Sequence, residues 1–183
     1  MKIKNLFITI FVFFSLVKIH SANSEDNSFL RIVSLNSLSA DIVSKLDNES
    51  LVGIPGSSLL KKNVDLENKV VVSSGRMPPS IEKIIELKPD LVIGSKGFHD
   101  KVLSKLNQLN IRTLETETKS IENLESLIEK LSKKLNRDKK ILLNKIKDCY
   151  KLPIKTKGSA VVLASTKPLL SPNSQSWAGS LLD

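Results

Sequence analysis

The sequence predicts an α/β fold, a Rossmann-like parallel sheet covered by helices on both faces. Three observations carry this. Short β-branched runs recur at intervals of about 20 residues, at Arg31 to Leu35, Leu51 to Ile54, Val70 to Val72, Asp90 to Ile93 and Ile111 to Leu114. Between them, apolar residues fall at helical spacing. The runs are apolar throughout rather than alternating, as strands buried on both faces are.

Each element has a local reason. After Arg31 to Leu35 comes a small polar turn, Asn36-Ser37. Leu38, Ile42, Val43 and Leu46 then fall on one helical face, with Ser39 as the expected N-cap. Pro55-Gly56 should end the second strand, and Gly75 to Pro79 should turn the chain after the third. Ser80 suits the N-cap of a helix carrying Ile81, Ile84 and Ile85, and Glu82 favours its positive end. Gly94 ends the fourth strand, and Asp100 is the expected cap of a helix with Leu103, Leu106 and Leu109 inward. Ligands of parallel sheets bind at the carboxyl ends of the strands. The loops to watch are therefore Asn36-Ser37, Gly75 to Met77 and Ser95 to Phe98.

From Ser120 the pattern changes. Ile121, Leu124, Leu127, Ile128, Leu131, Leu135, Ile141, Leu142 and Ile146 predict one helix approaching 30 residues, about 40 Å at 1.5 Å per residue. Pro153 ends it. Ser159 to Ala164 then reads as a new strand, followed by a Pro/Ser/Asn loop and a helix start at Trp177. A lone strand and one helical turn cannot bury a core, so the sequence is expected to stop inside a second domain.

Composition narrows the function classes. The 183 residues hold one Cys and two His, which excludes a disulfide framework and a Cys/His zinc module. There is no G-x-G-x-x-G after a strand and no phosphate-binding loop signature. A nucleophilic triad needs a base, and beyond the first 24 residues only His99 is available. His99 reads as a surface neighbour of a helix cap. An enzyme is therefore not expected, and no cofactor is.

The first residues read as an export signal. Lys2 and Lys4 precede a 12-residue apolar run, Leu6 to Val17, and Ala22 and Ser24 suit a cleavage site. The run is too short to span a bilayer of about 30 Å. Residues 1–24 are thus expected to be removed in a periplasm or equivalent space. The rest keeps 25 Lys+Arg against 19 acids. Eleven of those basic residues lie between Lys130 and Lys157, where the only acids are Asp138 and Asp148. Such a run could meet nucleic acid or anionic lipid, but it reads as the solvated face of a long helix, and no nucleic-acid partner is expected.

RIVSLNSLSADIVSKL, then LVGIP, then SIEKIIELKPDLVIGS, in that order, resemble the substrate-binding proteins of ABC importers for iron-siderophores, haem and cobalamin. The most discriminating piece is Ile81 to Ile93, an acid in a short helix followed by L-K-P-D-L-V. The resemblance implies an N-terminal lobe over residues 30–118 and a long inter-lobe helix over 119–152. It makes residues 158–183 the start of a truncated second α/β lobe. It implies periplasmic capture of a ferric siderophore, haem or a corrinoid by a monomer, and delivery to an importer permease. In its terms the pocket is lined by Asn36 and Ser37, by Arg76 and Met77, and by Ser95, Lys96 and Phe98. Arg76 and Lys96 offer charge to an anionic ligand. Ser95 stands where cobalamin binders tend to carry a ring. Glu82 matches the acid that docks on the permease. An exported α/β enzyme and a degenerate, non-binding fragment are the alternatives.

Overall fold

Ile32, Val33, Val92 and Ile93 are all fully buried. Neighbouring residues of a strand point to opposite faces, so both faces of this sheet must be covered. The computed structural model describes residues 30–60, 63–74, 77–150 and 161–180. The expected signal segment and Arg76 lie outside the described residues.

Five strands form one parallel sheet: β1 (Ile32–Ser34), β2 (Leu51–Gly56), β3 (Val70–Ser74), β4 (Leu91–Ser95) and β5 (Thr113–Thr116). Their order is β3-β2-β1-β4-β5, with Ile32 beside Leu51 on one side and Leu91 on the other. The chain runs outward from β1 to β3, then returns to place β4 against β1. The order therefore reverses between β1 and β4, and their carboxyl ends open the crevice that such sheets use for ligands.

Helix α1 (Ser37–Asp47) packs on one face with α4 (Ile121–Leu135) and α5 (Lys140–Tyr150). Their apolar stripes, including Ile42, Val43, Leu127, Ile128, Leu131 and Leu142, meet Ile32, Leu51 and Ile93. Helices α2 (Ile81–Glu86) and α3 (Asp100–Gln108) cover the other face, where Ile84, Leu103 and Leu106 meet Val33, Val72 and Val92. Each fully buried Leu or Ile contributes about 1.5–3 kcal/mol. Leu131→Ala, at the centre of the first layer, should cost about 2–5 kcal/mol.

Several expectations are corrected in detail. The N-cap of α1 is Asn36, whose Oδ1 accepts from the Ser39 N–H at 2.8 Å; Ser39 is buried inside the first turn. Pro55 and Gly56 lie within β2 rather than ending it. A register shift between Ile54 and Pro55 accommodates the missing proline N–H. The cap position of α3 is His99, and the Asp100 carboxylate instead accepts from the Gly97 N–H at 2.7 Å. Ser80 does cap α2, accepting from the Lys83 N–H at 3.3 Å.

The single long helix is two. α4 stops at Asn136, which sits in the left-handed region at φ 51° and ψ 46°. The Arg137 N–H turns back to the Ser132 carbonyl at 2.9 Å, closing the helix end as a Schellman turn does. Asn tolerates this conformation better than most residues. The Asp138 carboxylate then accepts from the Lys140 N–H at 2.9 Å and starts α5.

The expected strand Ser159 to Ala164 is also revised. Residues 159–160 lie outside the described residues, and Val161 to Ala164 are exposed and not in a strand. Instead β6 (Ser165–Thr166) pairs antiparallel with β7 (Leu169–Leu170), and the Ala164 N–H reaches the Leu170 carbonyl at 2.8 Å. One further turn of helix, α6 (Trp177–Ser180), follows.

Candidate functional site

The carboxyl edge of the sheet carries a cleft of about 1170 Å³. Leu35 to Ser37 enter it from β1, Pro55 to Ser58 from β2, Ser73 and Met77 to Pro79 from β3, and Ser95 with Gly97 to Val102 from β4. The crevice predicted from strand order is thus where this cleft lies.

Asn36 fixes the first loop. Besides capping α1, its Nδ2 donates to Thr116 Oγ1 at 3.2 Å, and that hydroxyl donates to the Gly94 carbonyl at 3.1 Å. The ends of β1, β4 and β5 are held in one hydrogen-bonded chain. Ser34 Oγ adds a bond to the Asn36 carbonyl at 2.8 Å.

The fourth loop is a tight turn closed on Ser95. The Ser95 N–H donates to His99 Nδ1 at 2.9 Å, and the His99 N–H donates back to the Ser95 carbonyl at 2.9 Å. Gly97 takes φ 77°, a left-handed conformation that glycine adopts without strain. His99 is 6% exposed and packs on Gly94, where a methyl group would meet the His99 Cβ at 2.9 Å. Burial pushes the His99 pKa below its ordinary 6.5, against the Ser95 backbone hydrogen bond and then the Asp100 carboxylate, which both raise it. The Ser95 amide donating to Nδ1 requires a lone pair there, the arrangement of a neutral imidazole. Contrary to the sequence expectation, His99 is not a surface residue.

This turn aims Phe98 outward. Its ring is 84% exposed and meets the His99 ring edge-on, with centroids 4.9 Å apart. Met77, 66% exposed, projects from the third loop. The remaining lining is rich in hydroxyls: Ser37, Ser57, Ser58, Ser73 and Ser95. Lys101 supplies a cation at the start of α3.

Of the residues singled out in the sequence, the cleft gathers Asn36, Ser37, Met77, Ser95 and Phe98. Lys96 lies in a neighbouring hollow with residues 116–119, its ammonium 3.6 Å from Glu117. The Glu117 carboxyl is held below the usual range by Lys119 and then Lys96. Glu82 stands apart, exposed in the first turn of α2. Its own backbone N–H and the Ser80 hydroxyl hold its pKa down. Sequence reasoning missed Ser57, Ser58, His99 and Lys101. The serines lay behind a Pro-Gly pair taken for a strand end. Among the described residues no group of three His, Cys, Asp or Glu gathers as a metal site.

The sequence matches the profile of a family described as periplasmic binding protein, over residues 32–144. Over 43 residues it is 40% identical to an iron-uptake system-binding protein of Bacillus subtilis, a stretch covering 24% of this chain and 14% of that protein. Among solved structures, an ABC transporter substrate-binding protein from Listeria monocytogenes aligns with TM-score 0.63 and 25% identity, over 83% of this chain and 61% of that one. A possible iron-binding periplasmic solute-binding protein from Staphylococcus epidermidis aligns with TM-score 0.69 and 20% identity, over 84% and 64%. At that identity the second likeness concerns the fold. The chain spans less than two thirds of the length of each of these relatives.

Proposed function

Because the chain belongs to the periplasmic binding protein family, we propose that it captures an iron complex outside the cytoplasm and hands it to an ABC-type importer. The ligand is a ferric siderophore or haem, with a cobalamin-like corrinoid as the third member of the class. The observation that carries this reading is the make-up of the cleft wall. Five serine hydroxyls stand beside Met77, Phe98 and Pro78-Pro79, with Lys101 at the edge. Hydroxyls and apolar side chains suit the organic shell of a chelated metal, whose oxygens accept hydrogen bonds and whose body is apolar. Lys101, and Arg76 next to Met77 in the sequence, suit a net negative complex. The likeness to an iron-uptake system-binding protein of Bacillus subtilis supports the same choice.

In this reading Asn36, Ser37, Arg76, Met77, Ser95 and Phe98 contact the ligand. Lys96 and Glu117 frame the rim, and Glu82 faces the permease. Residues 1–24 direct export and are cleaved. Family members bind their substrate rather than transform it, so no residue is assigned a catalytic role.

Titration of the chain with a ferric trishydroxamate, a ferric catecholate, haemin and cobalamin, followed by calorimetry, tests the reading. Saturable binding of one iron complex, weakened by Phe98→Ala, supports it. Failure of all four to bind would overturn it.

A further inference from the structure

We propose that His99 is a positioning residue that makes the cleft acid-sensitive: neutral, it pins the turn carrying Ser95 and Phe98; protonated, it releases that turn and the ligand with it. The proposal rests on the cleft being the ligand site. The geometry on which it stands does not.

Ser95 and His99 are joined by two hydrogen bonds of 2.9 Å, one of which needs the Nδ1 lone pair. A proton on Nδ1 would set an N–H against the Ser95 N–H, and one of the two groups must move. Neither can shift freely. The His99 Cβ lies against Gly94, and Leu103 Cδ1 and Cδ2 lie within 3.1 Å of the position a Gly94 Cβ would take. The Lys96 N–H holds the other side of the turn to the Thr116 carbonyl at 3.0 Å. The free end of the turn is Gly97-Phe98, so displacement there carries the exposed Phe98 ring out of its place in the cleft.

The charges around the imidazole are few. On its own helix, Asp100 favours protonation and Lys101 is the next residue. Within the turn, the Lys96 ammonium faces Glu117 instead. The loops from β1 (Leu35 to Ser37) and β2 (Pro55 to Ser58) bring no ionisable group to the cleft, nor do Met77 to Pro79. Arg76 lies outside the described residues. Burial outweighs both the Ser95 backbone hydrogen bond and Asp100, which favour the proton, so the imidazole takes it up only below the pH at which a free histidine does.

Two measurements on the full chain test this. In the first, the amides of Ser95 and Phe98 are followed by ¹⁵N NMR between pH 7.5 and 4.5. Both should shift along the titration curve of the His99 ring, and Phe98 should lose protection from hydrogen exchange. If His99 titrates while both amides stay fixed, or does not titrate before the chain unfolds, the proposal fails. In the second, affinity for a ferric trishydroxamate and for haemin is measured across the same range. Wild-type affinity should fall about tenfold, the worth of one lost hydrogen bond. His99→Asn places Oδ1 where Nδ1 stood and cannot titrate, so it should bind without acid loss. His99→Leu should bind weakly at every pH. The same acid loss in His99→Asn as in wild type would overturn the proposal. If neither probe binds at any pH, the proposed function falls, while the amide titration still decides the role of His99.

Discussion

Arg137 donates to Asp47 across ninety positions of sequence, Nη2 to Oδ2 at 3.1 Å, and so ties the break between α4 and α5 to the end of α1. The carboxylate is only 8% exposed and also accepts from Ser50 Oγ at 2.9 Å. A lost Arg137 thus leaves a nearly buried charge with one partner fewer.

Arg137→Ala should cost about 1 kcal/mol, the upper end for a partly exposed ion pair. That is a fall of about 2–4 °C in Tm for a chain of this size. A double-mutant cycle with Asp47→Asn should give non-additive losses, because the two changes remove one interaction. Additive losses would show that the contact carries no energy.

Phe98→Ala should separate binding from stability. With the ring 84% exposed, unfolding free energy should change by no more than about 0.5 kcal/mol. Affinity for an iron complex should drop up to about tenfold, as loss of one aromatic contact does. A variant that melts early yet binds normally would assign Phe98 to the fold instead.

Stability should fall in two stages on acidification. His99 has a depressed folded-state pKa, so above the ordinary value of 6.5 both folded and unfolded chains leave it neutral and its contribution is complete. Below 6.5 the unfolded chain gains a proton that the fold refuses, and stability is lost as pH drops through the folded value. Glu82, Glu117 and Glu122 are also depressed, from an ordinary 4.5, so their contributions persist down to that region and vanish beneath it. Thermal melts by circular dichroism from pH 8 to 4 should show both stages, and His99→Asn should erase the upper one. A single stage in wild type, below pH 4.5, would contradict the buried neutral imidazole.

Glu82→Ala should leave ligand affinity unchanged and reduce uptake of the iron complex by cells bearing the importer. Glu82 also sits at the positive end of α2, so melting of the purified variant must accompany the uptake assay. Parental uptake by a normally folded variant would remove Glu82 from the docking surface.

Much of the fold was written in runs such as Ile32-Val33 and Val92-Ile93, because strands buried on both faces need unbroken apolar sequence. The loops after β1, β3 and β4 followed from those strands. What stayed hidden depends on backbone partners. The role of His99 is set by the Ser95 amide, and no pattern of side chains announces that bond. Asn36 displaced Ser39 as cap because the chain enters the helix earlier than its apolar face begins. The break at Asn136 was marked, since Asn at a helix end and Asp two residues later form a stop and a restart. The leucines on either side kept helical spacing and masked it.

The serines of the cleft have a calorimetric consequence. A wall of hydroxyls is wetted by solvent, so a ligand settling on Ser37, Ser57, Ser58, Ser73 and Ser95 exchanges one set of hydrogen bonds for another. The apolar lining, Met77, Phe98 and Pro78-Pro79 together with Leu35, Pro55 and Val102, sheds apolar hydration. The heat-capacity change on capture should therefore be smaller than an all-apolar wall of the same area would give, and the binding enthalpy should vary correspondingly less with temperature.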